Sequence, residues 1–364
     1  MTTTLPKEVM EFKDFPFPAG EESFVSHQKV LQYLKDYAKH FNLSDHIKFH
    51  HKVKSVTPVK GNSGEKWHVI VEDMVTKTHK DYIFDAVMIG SGHYSTPNIP
   101  ELPGIELFKG TAIHSHQFRK RDGYEGKDVV IWGASSSGLD IALELCRVAK
   151  SVTISHRPMP KIHSELPKNV KEAENLVSAT EDGFEFADGT TCKADALLFC
   201  TGYRYTFPYL SKECGIQVDD NRITPLYMHL INIEHPTMCF LGVPVLMLPF
   251  IMSDYQVQFF LKSLDGSISL PTKEEMLMSS EKDFQRRLRL NMPNRHAHRL
   301  DWLQWEYYDD LATYGKLEKL NPIIRKIYEH LRVARRDEVM HYKSYQYKIQ
   351  GDGNFTVIKN TCCY

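Results

Sequence analysis

The hydrophobic pattern changes period several times along the chain, and each change marks an element. The opening is loop-like, with Pro6, Pro16 and Pro18 set among apolar and aromatic residues. From Ser26, a suitable N-cap, Val30, Leu31, Leu34, Tyr37, Ala38 and Phe41 recur at three- and four-residue spacing, which predicts an amphipathic helix. Three extended runs follow: Ile47 to Val56, which Pro58 should stop, then Trp67 to Asp73 and Lys80 to Ile89. The turn Gly61-Asn62-Ser63-Gly64 joins the first two, so a β-meander is expected. The third run feeds directly into Gly90-Ser91-Gly92.

Residues 97–126 are rich in proline and glycine and carry no strong period. The apolar run Val129 to Trp132 then reads as a strand. Leu139, Ile141, Ala142 and Leu145 read as one helix face, and Val152 to Ser155 as the next strand. Together they make a βαβ unit of about 30 residues. Further strands are expected near Phe184 to Phe186 and Ala196 to Cys200, before a proline-rich passage from Phe207 to Phe250. From Ser253 the pattern is mostly helical, clearest over Lys273 to Leu290 and His298 to Arg335. Trp302, Trp305, Tyr307 and Tyr308 read as a packed face of that region.

Composition narrows the class. The 364 residues carry 45 Lys+Arg against 46 Asp+Glu, a formal net charge of −1, which lacks the basic excess a nucleic-acid binder needs. The seven cysteines form no CxxC pair, which fits a reduced, intracellular protein and disfavours both a zinc site and a dithiol redox centre. The N-terminus has no signal-peptide pattern. The longest apolar stretch, Phe240 to Met252, is too short to span a bilayer and holds Pro244 and Pro249. A cytoplasmic protein without a transmembrane anchor is the expectation. Cys362-Cys363-Tyr364 is not a CaaX box and reads as a frayed tail.

The chemistry concentrates in Gly133-Ala134-Ser135-Ser136-Ser137-Gly138, directly after the strand Val129 to Trp132 and at the opening of a helix. This is GxGxxG with Ser135 at the second glycine, the dinucleotide-binding fingerprint. Gly133 would make the tight turn and Gly138 the close strand–helix packing. Ser135, Ser136, Ser137 and Leu139 would present backbone N–H groups to a pyrophosphate at the helix N-terminus. An NAD site would place an acid at the end of the second strand, but Ser155-His156-Arg157 stands there. A cation suits a 2′-phosphate, so NADPH is expected, with Arg157 as its ligand. Asp140, in the first turns of the helix, reads either as a helix-dipole partner or as a contact to the nicotinamide half.

One further segment, Phe108-Lys109-Gly110-Thr111-Ala112-Ile113-His114-Ser115-His116-Gln117-Phe118, matches FxGxxxHxxxF, and the chain here resembles the class B flavoprotein monooxygenases. The order of LPKEVMEFKDFPFP, SGHYSTPNIP, GASSSGLD, FCTGY, LGVP and QWEYYDDLA is similar to that of flavin-containing monooxygenases over essentially the whole length. The resemblance implies an α/β fold of two Rossmann-like dinucleotide-binding domains with a helical C-terminal part. It implies FAD-domain segments over residues 1–96, a linker over 97–126, an NADPH-binding domain over 127–205, and a return to the FAD domain with helices over 206–364.

The implied reaction is N- or S-oxygenation of an amine or thioether by O₂ through a C4a-hydroperoxyflavin, with FAD and NADPH as cofactors and no obligatory side-chain acid or base. His114 then links domains; an i, i+2 pair with His116 is a poor metal site. Thr3, Thr4, Leu5 and Gln256 correspond to family segments beside the cofactors. Two departures stand out. No first GxGxxG for FAD is present, so the FAD domain is expected to lack its first βα unit. Thr4 also stands where the family has Asn. A truncated, inactive NADPH-binding isoform is therefore the rival reading; a Baeyer–Villiger enzyme or a plain reductase is a further one. The sequence leaves a homo-oligomer and the substrate's identity open.

Overall fold

The structure is a computed structural model and describes residues 2–20, 22–62, 64–157, 162–351 and 353–360. Helix α1 spans His27–His40, and the Ser26 side chain accepts from the Lys29 N–H as its cap. A three-stranded antiparallel meander follows: β1 His51–Gly61, β2 Gly64–Asp73 and β3 His79–Phe84. Pro58 does not stop β1, contrary to the sequence expectation; it pairs with Trp67. The reason is position: β1 is an edge strand, so the missing proline N–H leaves no neighbour without a donor. The run also starts later than expected, at His51, directly after His50 at φ 57°.

The third run divides at Asp85-Ala86. Its second half, β4 (Val87–Ile89), leaves the meander and pairs in parallel with Met238–Phe240, which the sequence expectation of one strand did not allow. That second sheet also contains Leu226–Tyr227 and Ile231–Asn232. β4 is its edge, with Met88 36% exposed.

The βαβ unit is part of a five-stranded parallel sheet. Its strands are β5 Thr111–His114, β6 Asp128–Trp132, β7 Ser151–Ser155, β8 Val170–Ala173 and β9 Ala196–Phe199, in the order β5-β9-β6-β7-β8. Helix α2, Ser136–Leu145, covers one face through Ile141, Ala142 and Leu145 against Val129, Ile131, Ile154 and Leu198. The opposite face packs Val130, Trp132, Leu197 and Phe199 against Phe184 and Phe186 of a small antiparallel sheet. Burial on both faces explains why these strands read as unbroken apolar runs. Each fully buried Leu or Ile contributes about 1.5–3 kcal/mol. Register pairs Trp132 with Ser155 and with Phe199, so the carboxyl ends of β6, β7 and β9 open on one rim.

The helical expectation for the C-terminal part holds with two changes. Helix α3, Pro249–Leu264, starts four residues before Ser253, because proline fits the first helical turn. The stretch from His298 to Arg335 is two helices rather than one, α5 Gln304–Tyr314 and α6 Pro322–Asp337, split after Gly315 and restarted by Asn321 as cap with Pro322. Helix α4, Lys273–Arg289, carries a full capping box of Thr272 and Glu275. A closing hairpin, Tyr345–Ile349 with Phe355–Lys359, was not expected; its alternation, with Tyr345 and Tyr347 buried, is short and charge-laden. Trp305, Tyr307 and Tyr308 are buried with α3 and α6, whereas Trp302 is 44% exposed.

Candidate functional site

The glycine turn sits on the rim where β6 ends. Gly133 has φ +117°, and a Cβ on it would lie 2.5 Å from the Cys200 carbonyl oxygen. A Cβ on Gly138 would lie 1.8 Å from the Gly133 carbonyl oxygen. Both positions therefore need glycine for stated steric reasons: one for backbone conformation, the other for strand–helix contact. Ser135 is the N-cap of α2, extended and exposed, and its side chain makes no cap hydrogen bond. Ser137 is also exposed. The positive end of α2 thus carries two exposed serines, an arrangement that can receive a pyrophosphate. Leu139 packs into the lobe core, so only its backbone could serve a ligand. Burial pushes the Cys200 thiol up to about 12, so the thiol beside the turn stays protonated.

Arg157 is exposed two residues beyond the end of β7. Nearby His296 is held below its ordinary value first by burial, then by Arg295, Arg299 and Arg157. Arg157 therefore belongs to a patch of positive potential, where a 2′-phosphate would be attracted. Residues Gly133 to Gly138 and Arg157 fit NADPH on these observations.

Asp140 has a partner on a distant segment of the chain. Its carboxylate pairs with Lys343 at 3.0 Å, both side chains largely buried. Lys343 also reaches the Thr2 carbonyl at 3.5 Å, which brings the chain's opening residues beside α2. Thr3 hydrogen-bonds through its N–H to the Val25 carbonyl, while its buried Oγ1 has no partner among the described residues. The same is true of His93 Nε2, next to Gly92 and Gly90, where a Cβ would meet open space. Orphaned buried polar atoms beside bare backbone fit a polar ring system such as a flavin. Thr4 is half-buried, and Leu5 packs against two core clusters.

Gln256 is wholly buried, with both ends of its amide occupied by protein. Its Oε1 accepts from the Gly242 N–H at 3.0 Å and its Nε2 donates to the Tyr307 hydroxyl at 2.7 Å. It braces the Gly242 backbone against Tyr307.

His114 is buried at the end of β5. Its Nε2–H donates to the Gly202 carbonyl at 3.0 Å, and its Nδ1 accepts from the His116 N–H at 3.0 Å. These two bonds fix one neutral tautomer, and burial lowers its pKa. Since Asn98 also donates to the Gly202 carbonyl through its N–H, His114 ties the linker to the turn after β9.

Two groups of functional interest were invisible in the sequence. Arg335, on α6, donates to Ser136 Oγ at 3.0 Å, and Lys343 lies one α2 turn further along. Both are remote in sequence and carry only the generic signal of basic residues near a helix end. The second group lines a cavity of about 120 Å³. There the Ile223 N–H donates to His298 Nε2, His298 Nδ1 lies 3.0 Å from His229 Nδ1, and Arg287 Nη2 lies 3.0 Å from His229 Nε2. Asp283 lies 3.4 Å from the same His229 Nε2 and pairs with buried Arg287 at 2.6 Å. Burial first, then Arg287 and neighbouring charges, keep both imidazoles neutral.

A family model described as flavin-binding monooxygenase-like matches residues 1–166 and 163–363. The flavin-containing monooxygenase FMO GS-OX4 of Arabidopsis thaliana is 36% identical over 339 residues, covering 86% of this chain and 69% of that protein. Among solved structures, the S-allyl-L-cysteine S-oxygenase from Allium sativum superposes with a TM-score of 0.88 at 31% identity, covering 95% of this chain and 80% of that one. Tmm from Pelagibacter sp. strain HTCC7211 gives a TM-score of 0.84 at 27% identity, covering 98% and 80%. No helix among the described residues is long and apolar enough to cross a membrane.

Proposed function

The chain belongs to the flavin-binding monooxygenase-like family, whose cofactors are FAD and NADPH, and from that premise we propose that it oxygenates a soft nucleophile, a thioether before an amine, in an NADPH- and FAD-dependent reaction. FAD supplies the oxygen-activating chemistry when bound, and NADPH the reducing equivalents. The chain's own residues do the positioning. The turn Gly133 to Gly138 holds the pyrophosphate by backbone N–H groups. Arg157 selects the 2′-phosphate. His114 fixes the linker on which the two nucleotide sites depend. The observation that carries the reading is the pair of sterically required glycines beneath an open helix N-terminus, in a chain matched by the family model over nearly its full length. Sulfur is placed first because a neighbour at TM-score 0.88 is an S-oxygenase. A cytoplasmic location is supported by the cysteines, since the five described ones are all free thiols.

The test is product analysis. The chain is supplied with FAD, NADPH, an S-alkyl cysteine and labelled O₂. Sulfoxide carrying one labelled oxygen per NADPH consumed is the expected result, and NADPH consumption without labelled product overturns it. A second reading is an inactive NADPH-binding protein. Protein that binds NADPH but takes up no FAD would establish it.

A further inference from the structure

We propose that Arg335 is a cofactor-positioning residue: the C-terminal helix α6 delivers its guanidinium across to the glycine turn, where it clamps the NADPH pyrophosphate together with Ser136. The proposal rests on reading Gly133 to Gly138 as the NADPH loop.

Three observations carry it. The first is placement. Arg335 Nη2 lies 3.0 Å from the hydroxyl of Ser136, the first residue of α2, at the end of the helix where a bound pyrophosphate meets backbone N–H groups. The second is the unusual state of its charge. Helix α6 carries Arg325, Arg332, Arg335 and Arg336. Arg325 pairs with Glu329 at 2.7 Å, Arg332 with Asp301 at 3.6 Å and Arg336 with Asp337 at 2.6 Å. Arg335, half-buried, has no carboxylate within that range among the described residues, and its one hydrogen bond there is to a neutral hydroxyl. Four of its five N–H donors are thus available, in the planar fork that matches phosphate oxygens.

The third observation is that the neighbouring acid is already neutralised. Asp140, one turn along α2, pairs with Lys343 at 3.0 Å with both side chains largely buried. The rim of the turn is therefore left with an uncompensated cation and the helix dipole, both facing the same space. The segment is also held in register. The Val339 N–H donates to Ser164 Oγ at 3.0 Å, so the segment that follows α6 is tied twice, at Val339 to Ser164 and at Lys343 to Asp140.

This assigns Arg335 and Arg157 to different parts of one ligand. Arg335 would act on the pyrophosphate, which NADPH and NADH share, and Arg157 on the 2′-phosphate, which only NADPH has. The experiment is equilibrium titration of the FAD-supplied chain with NADP⁺, NAD⁺ and 2′-AMP, read by calorimetry. Arg335→Gln keeps a donor for Ser136 and loses the charge; Arg335→Lys keeps the charge and loses the fork. Ser136→Ala removes the tie and keeps the guanidinium.

The expected result is that Arg335→Gln weakens NADP⁺ and NAD⁺ alike, by roughly tenfold or more, as for loss of a charge-assisted phosphate contact. Its NADP⁺-to-NAD⁺ preference and its 2′-AMP affinity stay at the wild-type values, and Arg335→Lys recovers part of the loss. Arg335→Gln binding NADP⁺ as tightly as wild type overturns the proposal. So does a loss matched by Ser136→Ala, which would make Arg335 a structural tie only. If wild type binds neither NADP⁺ nor 2′-AMP, the underlying reading of the glycine turn fails as well. Wild type binding both while Arg335→Gln is unchanged defeats this inference alone.

Discussion

The parallel sheet with its glycine turn and the region around α3 to α5 use opposite strategies to build a site. In the first, the glycine turn and Arg157 lie within the short stretch from Val129 to Arg157, and the constraints are steric: a φ of +117° at Gly133 and a contact of 1.8 Å awaiting any Cβ at Gly138. In the second, groups distant in sequence converge and the constraints are polar. Gln256 joins Gly242 to Tyr307, while His229, Asp283, Arg287 and His298 close around a cavity. A local steric site fails through added atoms; a convergent polar site fails through removed ones.

The largest effect should therefore come from adding one carbon. Gly138→Ala forces strand and helix apart at the phosphate loop, and about 3 kcal/mol of stability should go with the NADP⁺ affinity. Thermal melting together with NADP⁺ titration reads both. A variant that melts and binds like wild type would remove the steric half of the comparison.

The polar half predicts a pH response. His114, His229 and His298 all have folded pKa values lowered from 6.5, first by burial. The unfolded chain then binds more protons than the folded one below that value. Their contribution is complete above pH 6.5 and is lost as pH falls toward the folded values. The melting temperature should decline steeply from pH 6.5 downward, with each unit of pKa difference worth about 1.4 kcal/mol. A melting temperature unchanged down to pH 5 would contradict the neutral imidazole chain.

Removing one brace should cost less. Gln256→Ala leaves the half-buried Gly242 N–H without its acceptor, a loss of about 1–3 kcal/mol in urea unfolding. The Tyr307 hydroxyl keeps its bond to the Met228 carbonyl, which limits the damage. A drop in flavin content without any drop in stability would instead make Gln256 a direct cofactor contact.

The smallest change in stability, and the sharpest in selectivity, belongs to Arg157→Ala. An exposed side chain contributes little to the fold, but the preference for NADPH over NADH should fall roughly tenfold or more. An unchanged ratio of KM values would withdraw Arg157 from the 2′-phosphate.

This contrast also explains what was legible in the sequence. The strand, turn and helix from Val129 to Leu145 could be read directly, because periodicity, glycine spacing and apolar runs are all short-range signals. His114 was readable through its motif, though its Gly202 partner was not. Pro58 misled because edge position depends on sheet order, which no local pattern carries. The run from Lys80 to Ile89 concealed two strands because β4 finds its partner at Met238–Phe240, far along the chain. Arg335, Lys343 and the pair His229–His298 were silent for the same reason: their meaning comes from partners on distant elements.

The central claim is that a nucleotide held at Gly133 to Gly138 serves a flavin in the same chain. It is tested most directly by supplying the purified chain with FAD, removing unbound flavin, and recording the visible absorbance anaerobically before and after NADPH. The account predicts a bound oxidised-flavin spectrum that bleaches on NADPH addition and returns when O₂ is admitted. A colourless protein, or a bound flavin that NADPH leaves oxidised, would contradict it.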